Sequence, residues 1–266
     1  MRPMTSTTPA ARARRHPPEL WRVPVLRTGR VTPAMARITV GGPALANFPG
    51  DGRGDQHVVL YFYEPEVELP EPLTLTSART LLGQVRPAMR SYTVRHYDPV
   101  RHELDIDFVL HPEGGVAADW AKFAQPDDHL IVVGPSPAYL PDPAIPAHVL
   151  LGDETALPAI GAMLDHLPAS AAVTAIVEIA GAAEEQLLGA DITWLHRDGR
   201  PAGSPDLLLA ALRDLGGLPL DVAVWAAGER TAMRAVRAYL LDESGLDRAR
   251  VRTTMYWRHG HTGGTG

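Results

Sequence analysis

RSYTVRHYDPVRHELDIDFVLH, residues 90–111, carries the pattern that decides the fold of the first half of the chain. Within it ELDIDFVL alternates cleanly, with Leu104, Ile106 and Phe108 on one side and Glu103, Asp105 and Asp107 on the other, as a strand with one buried face requires. The preceding run RSYTVR reads as its hairpin partner, joined through a turn around Asp98 and Pro99. Alternate side chains of a strand share a face, so Arg90 and Tyr92 look one way while Thr93 points back. A cation, a phenol ring and a hydroxyl placed like this suit a flat anionic cofactor. Arg90 would meet a phosphate, Tyr92 would stack on an aromatic system, and Thr93 would reach a ring heteroatom. Taken alone, the run is better read as the wet edge of an antiparallel strand.

Outward from this hairpin the texture stays β-rich: WRVPVLRTGRV (21–31), MARITVGG (35–42), HVVLYFY (57–63) and HLIVVGP (129–135) are short runs broken by Gly, Pro and Asp. About six such strands suffice for a small closed antiparallel barrel. The one helix-like insertion is VAADWAKFAQ (116–125), ending before Pro126. The second half changes period. Strands HVLLG (148–152), AAVTAIVEIA (171–180), ITWLHR (192–197), DVAVWAAG (221–228) and VRTTMYW (251–257) alternate with helical stretches at 154–167, 182–188, 205–215 and 230–241. That alternation predicts a parallel, Rossmann-like sheet with helices on both faces. The expected layout is a disordered basic extension at 1–19, a barrel domain at 20–140, a proline-stiffened linker at 141–146, an α/β domain at 147–260 and a flexible tail at 261–266.

Composition removes several function classes. The chain of 266 residues has no cysteine, so disulfides, thiolate metal sites, iron–sulfur clusters and cysteine nucleophiles are excluded. A formal charge of -6 disfavours broad nucleic-acid binding, although the first thirty residues are rich in arginine. No apolar segment follows that start, which predicts a cytoplasmic protein away from membranes. The histidines show no HxxxH or HExxH spacing, so no protein metal site is expected. No Gly-x-Ser-x-Gly elbow occurs, and Ser136 between two prolines is a poor nucleophile.

In a doubly wound sheet, ligands bind at the carboxyl ends of the strands. After the first strand, Gly152, Asp153, Glu154 and Thr155 lead into a helix whose early amides are free. This turn has the position of a nucleotide site, but its carboxylates would repel a pyrophosphate, and Asp153 or Thr155 is equally natural as a helix cap. Both readings stand. Glu178 follows the second strand, and His196 and Arg197 follow the third. Arg197 would favour a 2′-phosphate, hence NADPH over NADH, or is a solvated residue before the Asp198-Gly199 turn. After the fourth strand, Ala226, Ala227, Gly228 and Glu229 admit either a ring or pyrophosphate close to the backbone, or a closely packed helix. In the barrel half, Gly114 and Gly115 precede a helix whose N-terminal amides suit a phosphate, with His111 nearby.

The motifs DQHVVLYF (55–62), RSYTVR (90–95), DIDFVLH and GGVAADWA (105–121), GDETALPAI (152–160), EEQ and ITWLHR (184–197), WAAGE (225–229) and YWRHG (256–260) occur in a telling order. In that order the chain resembles the siderophore-interacting protein family, ferric-siderophore reductases of the ferredoxin reductase superfamily, over roughly residues 20–260. The resemblance implies an N-terminal Greek-key barrel binding FAD and a C-terminal domain binding NAD(P)H, with ferredoxin as donor in another branch. It places Arg90, Ser91, Tyr92 and Thr93 around the flavin, with Thr93 at its reacting edge, and His111, Gly115, Val116, Ala117 and Trp120 beside the rest of FAD. Asp153, Glu154, Thr155, Arg197, Ala227, Gly228 and Glu229 fall on the nicotinamide-dinucleotide side, with NADPH expected and NADH the alternative. Arg258 matches a basic residue facing the siderophore, whereas Val59 stands where relatives carry Lys or Arg. Tyr139, in GPSPAY (134–139), replaces a small turn and alters the cover over the cofactor. The implied activity is reduction of a ferric siderophore to release Fe(II), by a monomer that binds no nucleic acid. Two rivals are a general NADPH-dependent flavin or quinone reductase and a non-enzymatic siderophore-binding protein.

Overall fold

The computed structural model describes residues 18–50, 54–136, 139–203, 206–219 and 221–261. The expected basic extension lies almost wholly outside these residues, as does all but the first residue of the tail. Among the described residues, twelve strands form two sheets of opposite character, accompanied by five α-helices. The first sheet is antiparallel and comprises β1 (Glu19–Thr32), β2 (Met35–Gly41), β3 (His57–Phe62), β4 (Ala88–Thr93), β5 (His96–Asp98), β6 (Glu103–Val109) and β7 (His129–Ser136), in the order β4-β3-β7-β1-β2-β6-β5.

The hairpin expectation is half right. β6 does bury Leu104, Ile106 and Phe108, but the run before it divides into two strands. β5 pairs with β6 across the Asp98 turn, whereas β4, which carries RSYT, pairs with β3 at the opposite edge. The chain crosses from one edge to the other in two residues. Val94 N–H donates to the Gln56 carbonyl at 2.7 Å and Arg95 N–H to that of Asp105 at 3.0 Å. This crossing carries the chain from β4 at one end of the strand order to β5 at the other. Asp107, expected on the wet face, is buried because Arg37 on the neighbouring β2 holds both its oxygens at 2.7 and 2.8 Å.

Two helices belong to this half. α2 (Val116–Phe123) lies where the sequence puts it, and Ala117, Trp120 and Ala121 pack into the barrel core. α1 (Leu75–Leu82) is unexpected; Thr74 caps it by accepting the Ser77 N–H, and Ser77 bonds back to the Thr74 N–H. The core contains Val23, Ile38, Val40, Leu60, Leu104 and Ile106, all fully buried. Each contributes about 1.5–3 kcal/mol relative to exposure.

The second sheet is parallel, with β8 (Ala147–Asp153), β9 (Ala172–Ile179), β10 (Ile192–His196), β11 (Val222–Glu229) and β12 (Val251–Trp257) in the order β10-β9-β8-β11-β12. α4 (Asp206–Asp214) and α5 (Arg230–Ala238) cover one face through Leu208, Leu212, Met233 and Val236. α3 (Leu157–Leu164) covers the other, together with Met35 from the barrel. The short piece at 182–188 reduces to a 3-10 turn at Ala182–Glu184. Strand order reverses between β8 and β11, so the sheet has its switch point there, at ends that look toward the barrel.

Candidate functional site

On the barrel side, the register of β4 on β3 sets the faces. Thr93 and Ser91 stand opposite His57 and Val59, while Tyr92 and Arg90 stand opposite Val58 and Leu60. Arg90 and Tyr92 therefore share one face and Thr93 the other, as the alternation predicts. The Tyr92 ring packs on Phe108 at 4.3 Å between centroids, and its burial raises the phenol well above its usual value. Arg90 is half-buried, and its Nη1 donates to its neighbour's Met89 carbonyl at 2.9 Å. Beyond β6, exposed His111 accepts the Gly114 N–H through its backbone carbonyl. Gly114 and Gly115 then enter α2 at φ of 75° and 137°, values that a side chain would strain. No side chain caps α2, and nothing lies within 4 Å of where a Cβ on Gly115 would be. An aromatic floor, a half-buried guanidinium and an uncapped helix start together fit a flavin dinucleotide.

The carboxyl ends of the parallel sheet look different. Asp153 is buried and accepts four donors: Thr155 N–H at 2.9 Å, the Thr155 hydroxyl at 2.5 Å, Glu229 N–H at 3.0 Å and the Trp257 indole at 2.7 Å. Neither Asp153 nor Thr155 occupies the capping position of α3, which is Ala156. At Gly228 (φ 152°) a Cβ would meet Asp153 Oδ2 at 2.6 Å, so the missing side chain lets that carboxylate approach the backbone. Glu229 caps α5, accepting Ala232 N–H at 3.1 Å and Thr231 N–H. Arg197 is buried rather than solvated. It makes a bidentate pair with Glu154 at 2.6 and 2.7 Å and reaches Glu178 at 3.3 Å. A 2′-phosphate at Arg197 would thus meet a guanidinium that already faces two carboxylates.

Burial dominates the titration of this cluster. It pushes Asp153 up to about 6, with Glu154 adding to the effect, and Glu178 up to about 7 against the opposing pull of Arg197. Both folded-state values lie above those of the unfolded chain, so the folded protein holds protons that the unfolded chain releases first. Stability is then greatest below the ordinary carboxylate range and falls as pH rises toward 7. Glu178→Gln removes one of these titrations and leaves Arg197 its bidentate partner. The variant is expected to melt above the parent at pH 8, by roughly 2–4 °C for each kcal/mol relieved, and level with it at pH 4.5. Matched thermal scans at the two pH values measure this.

The two halves meet through residues of the quoted motifs, Asp55, Arg95, Trp225 and Tyr256 among them, for which spacing indicated no partner. Tyr256 of β12 packs against the apolar cluster between the halves, its ring 6.3 Å from that of Trp225, and its burial raises the phenol. Asp55, also buried, accepts the Trp225 indole N–H of β11 at 3.1 Å and the backbone N–H of Tyr139. Its carboxyl is raised by burial, against the lowering effect of both donors. Tyr139 packs in the apolar cluster between the halves, so its ring belongs to the seam there. Arg95 pairs with Asp165 at 2.6 Å, and Gly54 fits against Met163 so closely that a Cβ would come within 2.0 Å of Cγ. Arg258 is exposed just past β12. Among the described residues no group of His, Asp or Glu is arranged to hold a metal ion, and no helix is long and apolar enough to cross a membrane.

Comparison with known proteins agrees with this geometry. Residues 24–139 match the model of the siderophore-interacting FAD-binding domain and residues 145–260 that of the siderophore-interacting protein. An uncharacterized protein of Mycobacterium tuberculosis is 38% identical over 254 residues, covering 90% of each chain. The NADPH-dependent ferric-chelate reductase of Escherichia coli is 33% identical over 241 residues, covering 88% of this chain and 91% of its own. The crystal structure of a siderophore utilization protein from T. fusca superposes with a TM-score of 0.80 at 40% identity, covering 93% of this chain and 95% of that one.

Proposed function

Because this chain belongs to the siderophore-interacting protein family, we propose that it is an FAD-dependent NAD(P)H oxidoreductase that reduces ferric siderophores and releases their iron as Fe(II). The observation that supports this reading is the hydrogen bond from the Trp225 indole to Asp55 at 3.1 Å, which ties the segment leading into β3, the strand paired with β4, to the nucleotide-type sheet. When bound, FAD supplies the conversion of a two-electron hydride donor into one-electron deliveries. The chain's own residues do the rest. Arg90 and the Gly115–Ala117 amides, with His111 and Ser91 alongside, neutralise and hold the phosphates. Tyr92 and Trp120 supply aromatic surface, and Thr93 presents its hydroxyl to the reacting edge. Asp153, Glu154, Thr155 and Arg197 line the dinucleotide side with Ala227, Gly228 and Glu229, NADPH being the donor and NADH the comparison. Arg258 offers an exposed cation to an anionic ferric chelate. The FAD-binding domain runs over 20–140 and the NAD(P)H-binding domain over 147–260, joined by 141–146, in a cytoplasmic monomer.

Val59 favours a second reading, a general flavin or quinone reductase. It is apolar and stands beside Ser91 and His57, on the face where relatives would carry a cation. The test of both is direct. Protein loaded with FAD should be yellow, bleach anaerobically on NADPH addition, and release two Fe(II) per NADPH into a ferrous-specific dye. Ferric chelates slower than quinone acceptors would select the second reading, and a protein that takes up no FAD would overturn both.

A further inference from the structure

The EEQ motif (184–186) lies in the loop between β9 and β10 and has no part in the cofactor assignments above. In the fold its first residue crosses the seam. We propose that Glu184 is a positioning residue for the reaction between dinucleotide and flavin: it clasps the β1–β2 turn of the barrel and so sets how the two halves face each other. The proposal rests on the oxidoreductase reading above.

The turn is Pro33–Ala34, between the paired residues Thr32 and Met35. Pro33 has no N–H, so the donor this turn offers is that of Ala34. Both oxygens of Glu184 accept it, at 3.1 and 3.2 Å, and Oε2 also accepts the Thr32 hydroxyl at 2.5 Å. Thr32 is buried and Glu184 half-buried, so water competes weakly for these bonds, and bonds to a carboxylate are stronger than neutral ones. Beside them Met35 is buried in the apolar layer of the parallel sheet, and the Gln186 amide donates to its sulfur at 3.2 Å. One turn of the barrel is therefore held by an apolar peg and a polar clasp.

The loop that carries Glu184 is itself tied to the strand ends on the dinucleotide side. Arg197 N–H donates to the Ile179 carbonyl at 2.9 Å, Asp198 N–H to that of Ala180 at 3.2 Å, and Glu185 lies 2.9 Å from His196 Nε2. Glu154, the bidentate partner of Arg197, lines a cavity of about 20 Å³ together with Ala34 and Glu184. Losing the clasp would let the barrel turn shift relative to the residues around Arg197. The tie from Asp55 to Trp225 acts on β11, whereas this one follows β9, and β8 lies between the two strands. A single tie leaves a pivot, while ties on both sides of β8 fix the angle between the halves. The reaction is sensitive to that angle, because a misplacement of about 1 Å can cost about a hundredfold in rate.

The test follows the FAD-loaded chain through anaerobic bleaching by NADPH, with amide hydrogen exchange of the same proteins as a second readout. Glu184→Ala should lower the first-order rate at saturating NADPH about tenfold, while the half-saturating NADPH concentration and the FAD dissociation constant stay within about twofold. Glu184→Gln keeps an oxygen for the Ala34 N–H and should recover most of the rate. Thr32→Val removes the hydroxyl from the opposite side and should slow bleaching about threefold; added to Glu184→Ala it should slow it no further, because both act through one contact. Exchange should rise together at 31–36 and 182–188 in Glu184→Ala and stay at the parent's level in Glu184→Gln. A parental rate in Glu184→Ala with exchange raised would make the clasp purely structural and overturn the positioning role. So would a raised half-saturating concentration at an unchanged saturated rate, an additive loss in the double variant, or a Glu184→Gln protein as slow as Glu184→Ala. An unchanged exchange pattern in Glu184→Ala would deny the clasp itself. A parent that binds FAD but is not bleached by NADPH would remove the oxidoreductase reading and this role with it.

Discussion

Arg90→Ala is expected to fold as the parent does and to lose FAD on gel filtration, with a dissociation constant about ten- to hundredfold higher. The magnitude follows from a charge-assisted bond to a phosphate, about 1.5–3 kcal/mol when the site excludes water. The expectation that folding survives follows from the geometry. The Arg90 side chain donates to its own neighbour's carbonyl, a local bond that ties no two elements together. Truncating Tyr92 would give no such clean answer. Its ring packs on Phe108 against the barrel core, so Tyr92→Ala would lose stability and flavin together, whereas Tyr92→Phe keeps the ring and isolates the hydroxyl. Arg90→Lys retains a charge without the planar fork and should fall between the parent and alanine. Flavin-fluorescence titration of the three proteins measures the series, and an unchanged constant for Arg90→Ala rejects the assigned contact.

The period of the sequence made the two sheets legible, but not the partners of each strand. Leu104, Ile106 and Phe108 announce a half-buried strand from spacing alone, and the alternation of strands and helices after residue 147 announces a parallel sheet. Spacing says nothing about which strand lies alongside. The run RSYTVR (90–95) therefore reads as the hairpin partner of β6, when the chain instead changes edges at Val94 and Arg95. α1 stayed hidden for a local reason: its cap pairs Thr74 with Ser77, whereas the recognisable capping box ends in Glu or Gln. The site shows the same division. Arg90, Tyr92 and Thr93 are neighbours in sequence, so their faces follow from alternation. The partners of Arg197 lie 43 and 19 positions away, at Glu154 and Glu178. A signal for them did exist, because Asp153 pairs with Glu178 and Ile179 with His196 in the ladder, which sets the ends of three successive strands side by side. Counting charges at those ends would have shown a cation already enclosed by carboxylates. Asp55 opens a quoted motif, but spacing carried no signal for its partners, which are Tyr139 just before the linker and Trp225 in β11.

Asp55→Ala is expected to lower the thermal midpoint and to slow reduction by NADPH more than it weakens FAD binding. The carboxylate joins three parts of the chain: the segment leading into β3, the backbone at Tyr139 where the linker begins, and the indole of Trp225 in the parallel sheet. Removing it leaves two buried donors unpaired, at about 1–3 kcal/mol each, partly offset because the charged carboxyl is itself disfavoured by burial. A net loss of about 2–4 kcal/mol corresponds to a midpoint lower by roughly 5–15 °C. The functional effect has a separate cause. Arg90 and the α2 amides lie in the barrel, so FAD affinity should stay within about threefold. The approach of the barrel to the parallel sheet, by contrast, depends on how the halves are set against each other, and the first-order rate of anaerobic bleaching by saturating NADPH should fall at least tenfold. Asp55→Asn keeps one acceptor oxygen but turns an amide donor toward the second N–H, so it should recover part of the stability and part of the rate. Stopped-flow bleaching beside FAD titration separates the two effects. An Asp55→Ala protein that is reduced as fast as its parent would mean that the carboxylate stabilises the seam without setting the alignment across it.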